Sequence, residues 1–587
     1  MVLKLNNILK VKQQIKSCRL YSTQQVKTFE YQSKLPRLPV PSLQHTLELY
    51  EKSTLPLRFK DDDNGVQESI RDFIKPGGQG QELQKRLEAY DKQHPNNWLE
   101  DIWLDKAYLS WRGPSFLNVN FWAEFVDHPD GLDPSPSTQS ANPIQLERAS
   151  GLIHQLLNFN DKLNREEIAP DMSKEGPLCM NQYKHIFGTS RVPKPGCDVL
   201  ISPHPTTSNY IVLSYKDRLV KVPVYTENAA VDHLVQAEHQ LPIGVLTTEH
   251  RDTWTEARSH LEGLSKRNAE NLKTIDDALF VVCLDTLSIG NDQNETHHYL
   301  MHRYDAGING EHSPADAITV GRIMTETIVN ETDTQGNFSK DVEIQPIQLL
   351  NWDTDSKIKS TIETAKTNAN KLSFSFRSEL SVYDDYGANF LKKGKVSPDA
   401  YVQMALQLAY YRTHGEPCAT YETASTRGFL HGRTETVRSC SWESYIFTQV
   451  ANDSHAKRSQ KQEALNIAIK SHIDYMKKAS AGLGVDRHLL GLRCMLKPDE
   501  PVPSLFTNPY FAKSGTYVLS TSNMSPGTYL YGGFAPVTED GYGVNYAISK
   551  DNIRYSCSDW ATSAVTDHKA LKKEINRALD DMGELLG

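Results

Sequence analysis

The chain is short of the features that would place it in several large classes. No window supplies the roughly 18 uninterrupted apolar residues that cross a bilayer. The best apolar run, Ala278 to Leu284, is short and suits a buried strand, so at most a peripheral contact with a membrane is left. The eight cysteines form no C-x-x-C pair and no Cys/His cluster at zinc-ligand spacing, which supports neither a disulfide framework nor a metal site and suits free thiols. Positive charge is not in excess. A formal net charge of -9 argues against a nucleic-acid binder, so any polyanionic ligand has to be met by a local group of lysines.

Acidic residues are absent from the first 29 positions, which hold Lys4, Lys10, Lys12, Lys16, Arg19 and Lys27, with Leu5, Ile8, Leu9 and Val11 able to line one side of a helix. Residues 1–30 therefore read as a mitochondrial presequence, with a frayed basic arm as the plainer alternative. Arg19-Leu20-Tyr21-Ser22 resembles a matrix-protease site cut after Tyr21.

The remainder is long enough for two sizeable domains, and 38% hydrophobic residues can fill both cores. Leu35-Pro-Arg-Leu-Pro-Val-Pro41 is too rich in proline for a helix or inner strand and reads as an extended segment. Apolar spacing of three and four predicts helices over 66–92, 144–163, 355–372, 399–412, 461–480 and 566–586. Strands are expected at 210–214, 279–284, 516–521, 529–534 and 542–547. This mixture of long helices and unevenly spaced strands predicts an α/β (α+β) chain, divided in the polar stretch near residue 365 into segments 31–365 and 366–587.

Four stretches carry chemistry. In Gly310-Glu311-His312-Ser313-Pro314-Ala315-Asp316 a histidine precedes an aspartate by four positions. A helix starting near Ser313 would put His312 at its mouth and Asp316 about one turn on, and a neutral imidazole there could take a proton from an alcohol or thiol. Lys392, Lys393 and Lys395 stand before Pro398 and Asp399, where phosphates would meet side-chain charge beside helix N-terminal amides. The hydroxyl- and guanidinium-rich stretches Thr420–Arg427 and His431–Ser439 suit a small anionic ligand. In Leu519-Ser520-Thr521-Ser522, Ser520 and Ser522 can line one cavity while Thr521 faces away. The paired glycines of Tyr529-Leu-Tyr-Gly-Gly-Phe534 leave a gap beside a strand. Each stretch alone has a plainer reading: a cap, a solvated loop, a salt-bridge network or a bulge.

Taken in order, and with Pro177-Leu-Cys-Met-Asn-Gln-Tyr183, Ala405-Leu-Gln-Leu-Ala-Tyr-Tyr411 and Asp486-Arg-His-Leu-Leu-Gly-Leu492, the chain resembles the carnitine and choline acyltransferase family from Leu35 to its C-terminus. The resemblance implies a two-domain, chloramphenicol-acetyltransferase-like fold with an active-site tunnel between the domains. It implies acyl transfer between coenzyme A and carnitine by a monomeric enzyme with no permanently bound cofactor. By the same resemblance His312 is the catalytic base with Asp316 in support, and Ser522 sits beside the reacting oxygen. Lys392, Lys393, Lys395 and Asp399 contact CoA. Tyr421, Thr434 and Arg487 meet the carnitine carboxylate, and Ser520 and Phe534 surround its trimethylammonium group. Gly532 leaves the acyl pocket open where acetyl-specific members have methionine.

The match departs from the family at Ala388, where many relatives have a lysine, and at Asn523-Met524, which replaces Gln-Val. Ahead of His312 the stretch Arg303–Asn309 is about ten residues shorter than the family's, so the strand leading to the histidine is expected to be curtailed. That departure keeps a second reading open, an inactive acyl-CoA-binding paralogue or scaffold; choline acetyl transfer is a third, disfavoured by Thr434-Glu435-Thr436.

Overall fold

A computed structural model describes residues 26–60, 65–126, 128, 143–224, 240–284, 306–333 and 346–586. Residues 1–25 of the basic N-terminal segment and residues 301–305 lie outside them. The strands are β1 (Phe121–Phe125), β2 (Ser190–Val192), β3 (Val199–Ile201), β4 (Tyr210–Tyr215), β5 (Arg218–Pro223), β6 (Val281–Cys283), β7 (Gly307–Gly310) and β8 (Gln348–Leu349). In the second half come β9 (Phe376–Tyr383), β10 (Thr420–Ser425), β11 (Thr434–Arg438), β12 (Leu519–Asn523), β13 (Leu530–Gly533), β14 (Tyr542–Ile548) and β15 (Ile553–Trp560).

The largest sheet has the order β11-β10-β12-β14-β15-β9. Alternation along its strands sends Leu519, Tyr542, Val544, Tyr546, Ile548, Tyr555 and Cys557 into one core with the helices Pro398–His414 and His568–Leu586. The first of these helices starts as its sequence dictates, with Pro398 in its first turn and the Ser397 side chain accepting from the Ala400 amide. It stops at Gly415, whose left-handed φ of 75° ends the helix at low cost. From Ala400 to Tyr410 every side of it is buried, so it is a core helix rather than an amphipathic surface one.

The first half carries a sheet of order β6-β4-β5-β8 and a small sheet of order β13-β1-β7. The small sheet joins the halves of the chain: β1 pairs antiparallel with β13 from the C-terminal half and with β7, which runs toward His312. Aromatic rings of β1 fill the space left by glycine on both neighbours. A Cβ on Gly533 would lie 1.9 Å from the Trp122 ring, and one on Gly310 would lie 2.5 Å from Phe121. A third core also crosses the chain, packing Leu38, Leu47, Phe73, Leu87 and Trp98 against Val485, Leu489, Leu492 and Leu505.

The mixed α/β expectation agrees with this architecture. The helix expected over 66–92 is two helices, Val66–Ile74 and Gln79–Gln93, because Pro76-Gly77-Gly78 breaks the run. The strand expected at 516–521 begins only at Leu519, since Thr516 still closes the preceding helix through its amide to the Ala512 carbonyl. The expected division near residue 365 falls inside the helix Ser356–Ser375, which runs directly into β9.

Candidate active site

One face of the six-stranded sheet is apolar and covered by helices, and the other is a field of hydroxyls. Parallel pairing sets Tyr421 beside Ser520 and Ser522 beside Asn545, while antiparallel pairing sets Thr423 opposite Thr436 and Asn545 opposite Ser556. Tyr421, Thr434, Thr436, Ser520, Ser522 and Asn545 therefore share the face turned away from the helical core. Thr521 points the other way, donating to the Tyr421 carbonyl at 2.7 Å and accepting from Gln403 Nε2 at 2.9 Å.

Arg487, in the first turn of the helix Asp486–Cys494, is buried and reaches into this face. Its Nε donates to the Thr434 carbonyl at 3.1 Å, Nη1 to Thr436 Oγ1 at 3.2 Å and Nη2 to Thr434 Oγ1 at 3.3 Å. Its guanidinium lies 3.6 Å over the Trp103 ring, a cation–π contact in a desolvated setting. Burial opposes its charge, yet Tyr421, Glu435 and Asp486 leave its pKa above the ordinary value. Thus Tyr421, Thr434 and Arg487 lie together. Ser520 and Phe534 meet at another gap: Ser520 pairs with Gly543, where an added Cβ would come within 3.2 Å of the Phe534 ring.

His312 arrives from the other half of the chain, two residues beyond β7. Its Nδ1 lies 3.1 Å from the Ala315 carbonyl oxygen. A carbonyl only accepts, so Nδ1 carries the proton and Nε2 keeps its lone pair. Burial pushes the pKa of the imidazole down, with Arg433 adding to the effect and Asp316 opposing it, and the ring is held neutral. Phe121 and Tyr108 pack on it with ring centroids 5.3 and 5.2 Å away.

The expected helix start is corrected here. The helix begins at Ala317, not near Ser313, and Asp316 occupies its N-cap. Pro314 and Ala315 thus belong to a turn whose Ala315 carbonyl holds His312, and Asp316 is not one turn along from His312 on a shared helix. Its carboxylate is instead held by Arg433, with Nε and Nη2 each 3.1 Å from an oxygen, and by Gln182 Nε2 at 2.8 Å. Arg433 also donates to the carbonyls of Ser313 at 2.7 Å and His312 at 3.0 Å. Since Arg433 immediately precedes Thr434, this one guanidinium ties the His312 turn to the edge of the hydroxyl-lined face.

The three lysines stand apart from this centre. Lys392 and Lys393 end the short helix Ala388–Lys393, Lys395 follows with φ 58°, and all three are exposed without a carboxylate partner among the described residues. Asp399, in the first turn of the next helix, accepts from Asn523 Nδ2 at 2.6 Å and from the Tyr546 hydroxyl at 2.7 Å. Asn523 therefore links the end of the Ser-x-Ser strand to Asp399. Gly532 lies opposite Ala123 across β1 and faces Asn545: an added Cβ would sit 3.2 Å from Asn545 Oδ1.

Sequence reasoning passed over Trp103, Tyr108, Gln182 and Asn545 and did not single out Arg433 within its stretch. For the first two the distinguishing feature exists only in the folded backbone. They flank and occupy the π-helical turn Leu104–Leu109, a geometry enriched at functional sites, although no residue pattern announces it.

Residues 38–577 match the model of the family described as choline/carnitine O-acyltransferase. The peroxisomal carnitine O-octanoyltransferase of Rattus norvegicus is 33% identical over 95% of this chain and 97% of its own length. Carnitine O-acetyltransferase of Columba livia is 31% identical over 95% and 94%, and that of Homo sapiens is 31% identical over the same shares.

Proposed function

From the premise that the chain belongs to the choline/carnitine O-acyltransferase family, we propose that it moves an acyl group reversibly between a CoA thioester and the carnitine hydroxyl. The observation that carries this reading is the pairing of a neutral His312, its Nε2 free to accept, with a buried Arg487–Thr434–Thr436 donor set bound to the same site by Arg433. Carnitine has a carboxylate for that donor set and choline has none. Tyr421 completes the carboxylate site, while Ser520 and Phe534 border the trimethylammonium group.

His312 Nε2 takes the carnitine hydroxyl proton as that oxygen attacks the thioester carbonyl, and Ser522 donates to the oxygen that becomes negative. Collapse breaks the C–S bond, and the same imidazole returns its proton to the departing CoA thiolate. No acyl-enzyme forms. Lys392, Lys393 and Lys395, exposed on the surface, receive the CoA phosphates, and the Asp399 end of the neighbouring helix lines its path. In this reading the tunnel runs between segments 31–365 and 366–587 of a monomer. The N-terminal 30 residues direct it to mitochondria, in the matrix or on the matrix face of the inner membrane, for acyl-carnitine and fatty-acid metabolism. The octanoyltransferase relatives named above are peroxisomal, so fusing residues 1–30 to a fluorescent reporter is a direct check: import into mitochondria supports the assignment, and diffuse or peroxisomal signal ends it.

The central experiment incubates purified protein with acetyl-, octanoyl- or palmitoyl-CoA and either carnitine or choline. CoA release with carnitine supports the reading. Binding of acyl-CoA without release with either acceptor favours the inactive paralogue, and release only with choline makes the chain a choline acyltransferase. Gly532 leaves the acyl channel open, so Gly532→Met is expected to remove octanoyl and palmitoyl turnover selectively; unchanged chain-length preference takes Gly532 out of the pocket.

A further inference from the structure

Asn545 has no counterpart among the residues given a role above. It lies on the hydroxyl-lined face of β14, paired with Ser522 on one side and Ser556 on the other. Ser556 is engaged, its Oγ donating to the Gly532 carbonyl at 2.8 Å. Asn545 is 7% exposed, yet its side-chain amide makes no hydrogen bond among the described residues. Its Oδ1 lies 3.2 Å from where a Gly532 Cβ would be. The residue as a whole is buried while its amide opens onto the hydroxyl-lined face, and an alkyl chain laid against that amide would strip it of water without offering a hydrogen bond in return, which is costly.

We propose that Asn545 selects short acyl groups carrying a hydroxyl on their second or third carbon. The inference rests on the acyltransferase reading, with the thioester carbonyl at Ser522 and the acyl chain directed toward Gly532. Neighbouring strands are about 4.8 Å apart, so a chain leaving the Ser522 row passes Asn545 within its first few carbons. A hydroxyl there both donates to and accepts from the amide, giving it the partner the protein does not supply. Sites built to hydrogen-bond a substrate hydroxyl discriminate strongly against the analogue that lacks it. Gly532 fits the same use, because a side chain in its place would press on the amide.

The test compares kcat/KM for butyryl-CoA and 3-hydroxybutyryl-CoA, and for propionyl-CoA and lactoyl-CoA, with carnitine, in the native chain and in Asn545→Val and Asn545→Gly. A preference of about 10-fold or more for at least one hydroxylated partner is expected in the native chain, as a bond replacing an unpaired amide. Both variants should bring that ratio close to one, mainly by gaining rate on the plain acyl group. A native ratio near or below one overturns the proposal, as does a preference that survives both substitutions. The acyltransferase reading fails separately: it would be lost if no acyl-CoA from acetyl to palmitoyl released CoA with carnitine, and the present inference would fall with it.

Discussion

The turn carrying His312 and the strand pair carrying Tyr421, Thr434 and Thr436 are held by different means. The strand pair belongs to a six-stranded sheet backed by buried helices, and its registers are set by neighbours on the same part of the chain. The His312 turn follows a four-residue strand paired, among the described residues, only with β1. It is steadied by side chains from elsewhere: Gln182 on Asp316, Phe121 and Tyr108 on the ring, and Arg433 on two carbonyls and a carboxylate. A binding surface can be fixed by sheet register, whereas a four-residue lead-in strand leaves the reacting group dependent on polar clamps.

Substitutions on the two sides of this contrast should behave differently. His312→Ala is expected to lower kcat by up to about 10⁴-fold, the range for loss of a positioned base, with circular dichroism unchanged. A loss below tenfold would remove His312 from the chemistry. Arg433→Ala leaves the buried Asp316 without its cation and should cost about 3–5 kcal/mol in urea unfolding, with a fall in kcat as the turn loosens. If stability drops while kcat per folded molecule holds, the clamp serves folding alone. Arg487→Ala should raise the carnitine KM about 10- to 100-fold, the worth of charged hydrogen bonds, and spare the KM for acyl-CoA. An equal change in both would detach Arg487 from carnitine.

The smallest effect is in the acid limb. Burial lowers the pKa of His312, so activity should persist below the ordinary value of about 6.5 and then fall about tenfold per pH unit once the ring protonates. The same depression makes stability depend on pH with a definite sign. The unfolded chain binds this proton first, so the contribution is complete above about pH 6.5 and is lost as pH falls through the unfolded value toward the lower folded one. A kcat/KM inflection above 6.5 would contradict the burial of the ring.

Some of the site could be read without coordinates because it rests on local rules. Alternation put Ser520 and Ser522 on one face with Thr521 behind them, and Pro398 after Ser397 marked the start of a helix. The helix near His312 was misplaced for an equally local reason. Asp316 is as good an N-cap residue as Ser313, and only the Gln182 and Arg433 contacts, from 134 and 117 residues away, distinguish them. Trp103 and Tyr108 were passed over because an aromatic residue in a helical run ordinarily means core, and the π-turn that presents them is a backbone detail.

What the chain's letters determined on their own was periodic or compositional: the mixed α/β class, the long helices, the alternating hydroxyl face and the ordered stretches shared with the acyltransferase family. Tertiary structure decided what depends on distant partners. It paired β1 with β13 across the two halves, set Trp122 against Gly533 and Phe121 against Gly310, and placed Asn545 against Gly532. It also closed the His312 turn under Arg433. Backbone periodicity is written within a few residues of sequence, whereas the orientation of a reacting side chain is set by charges and rings that meet only after the chain has packed.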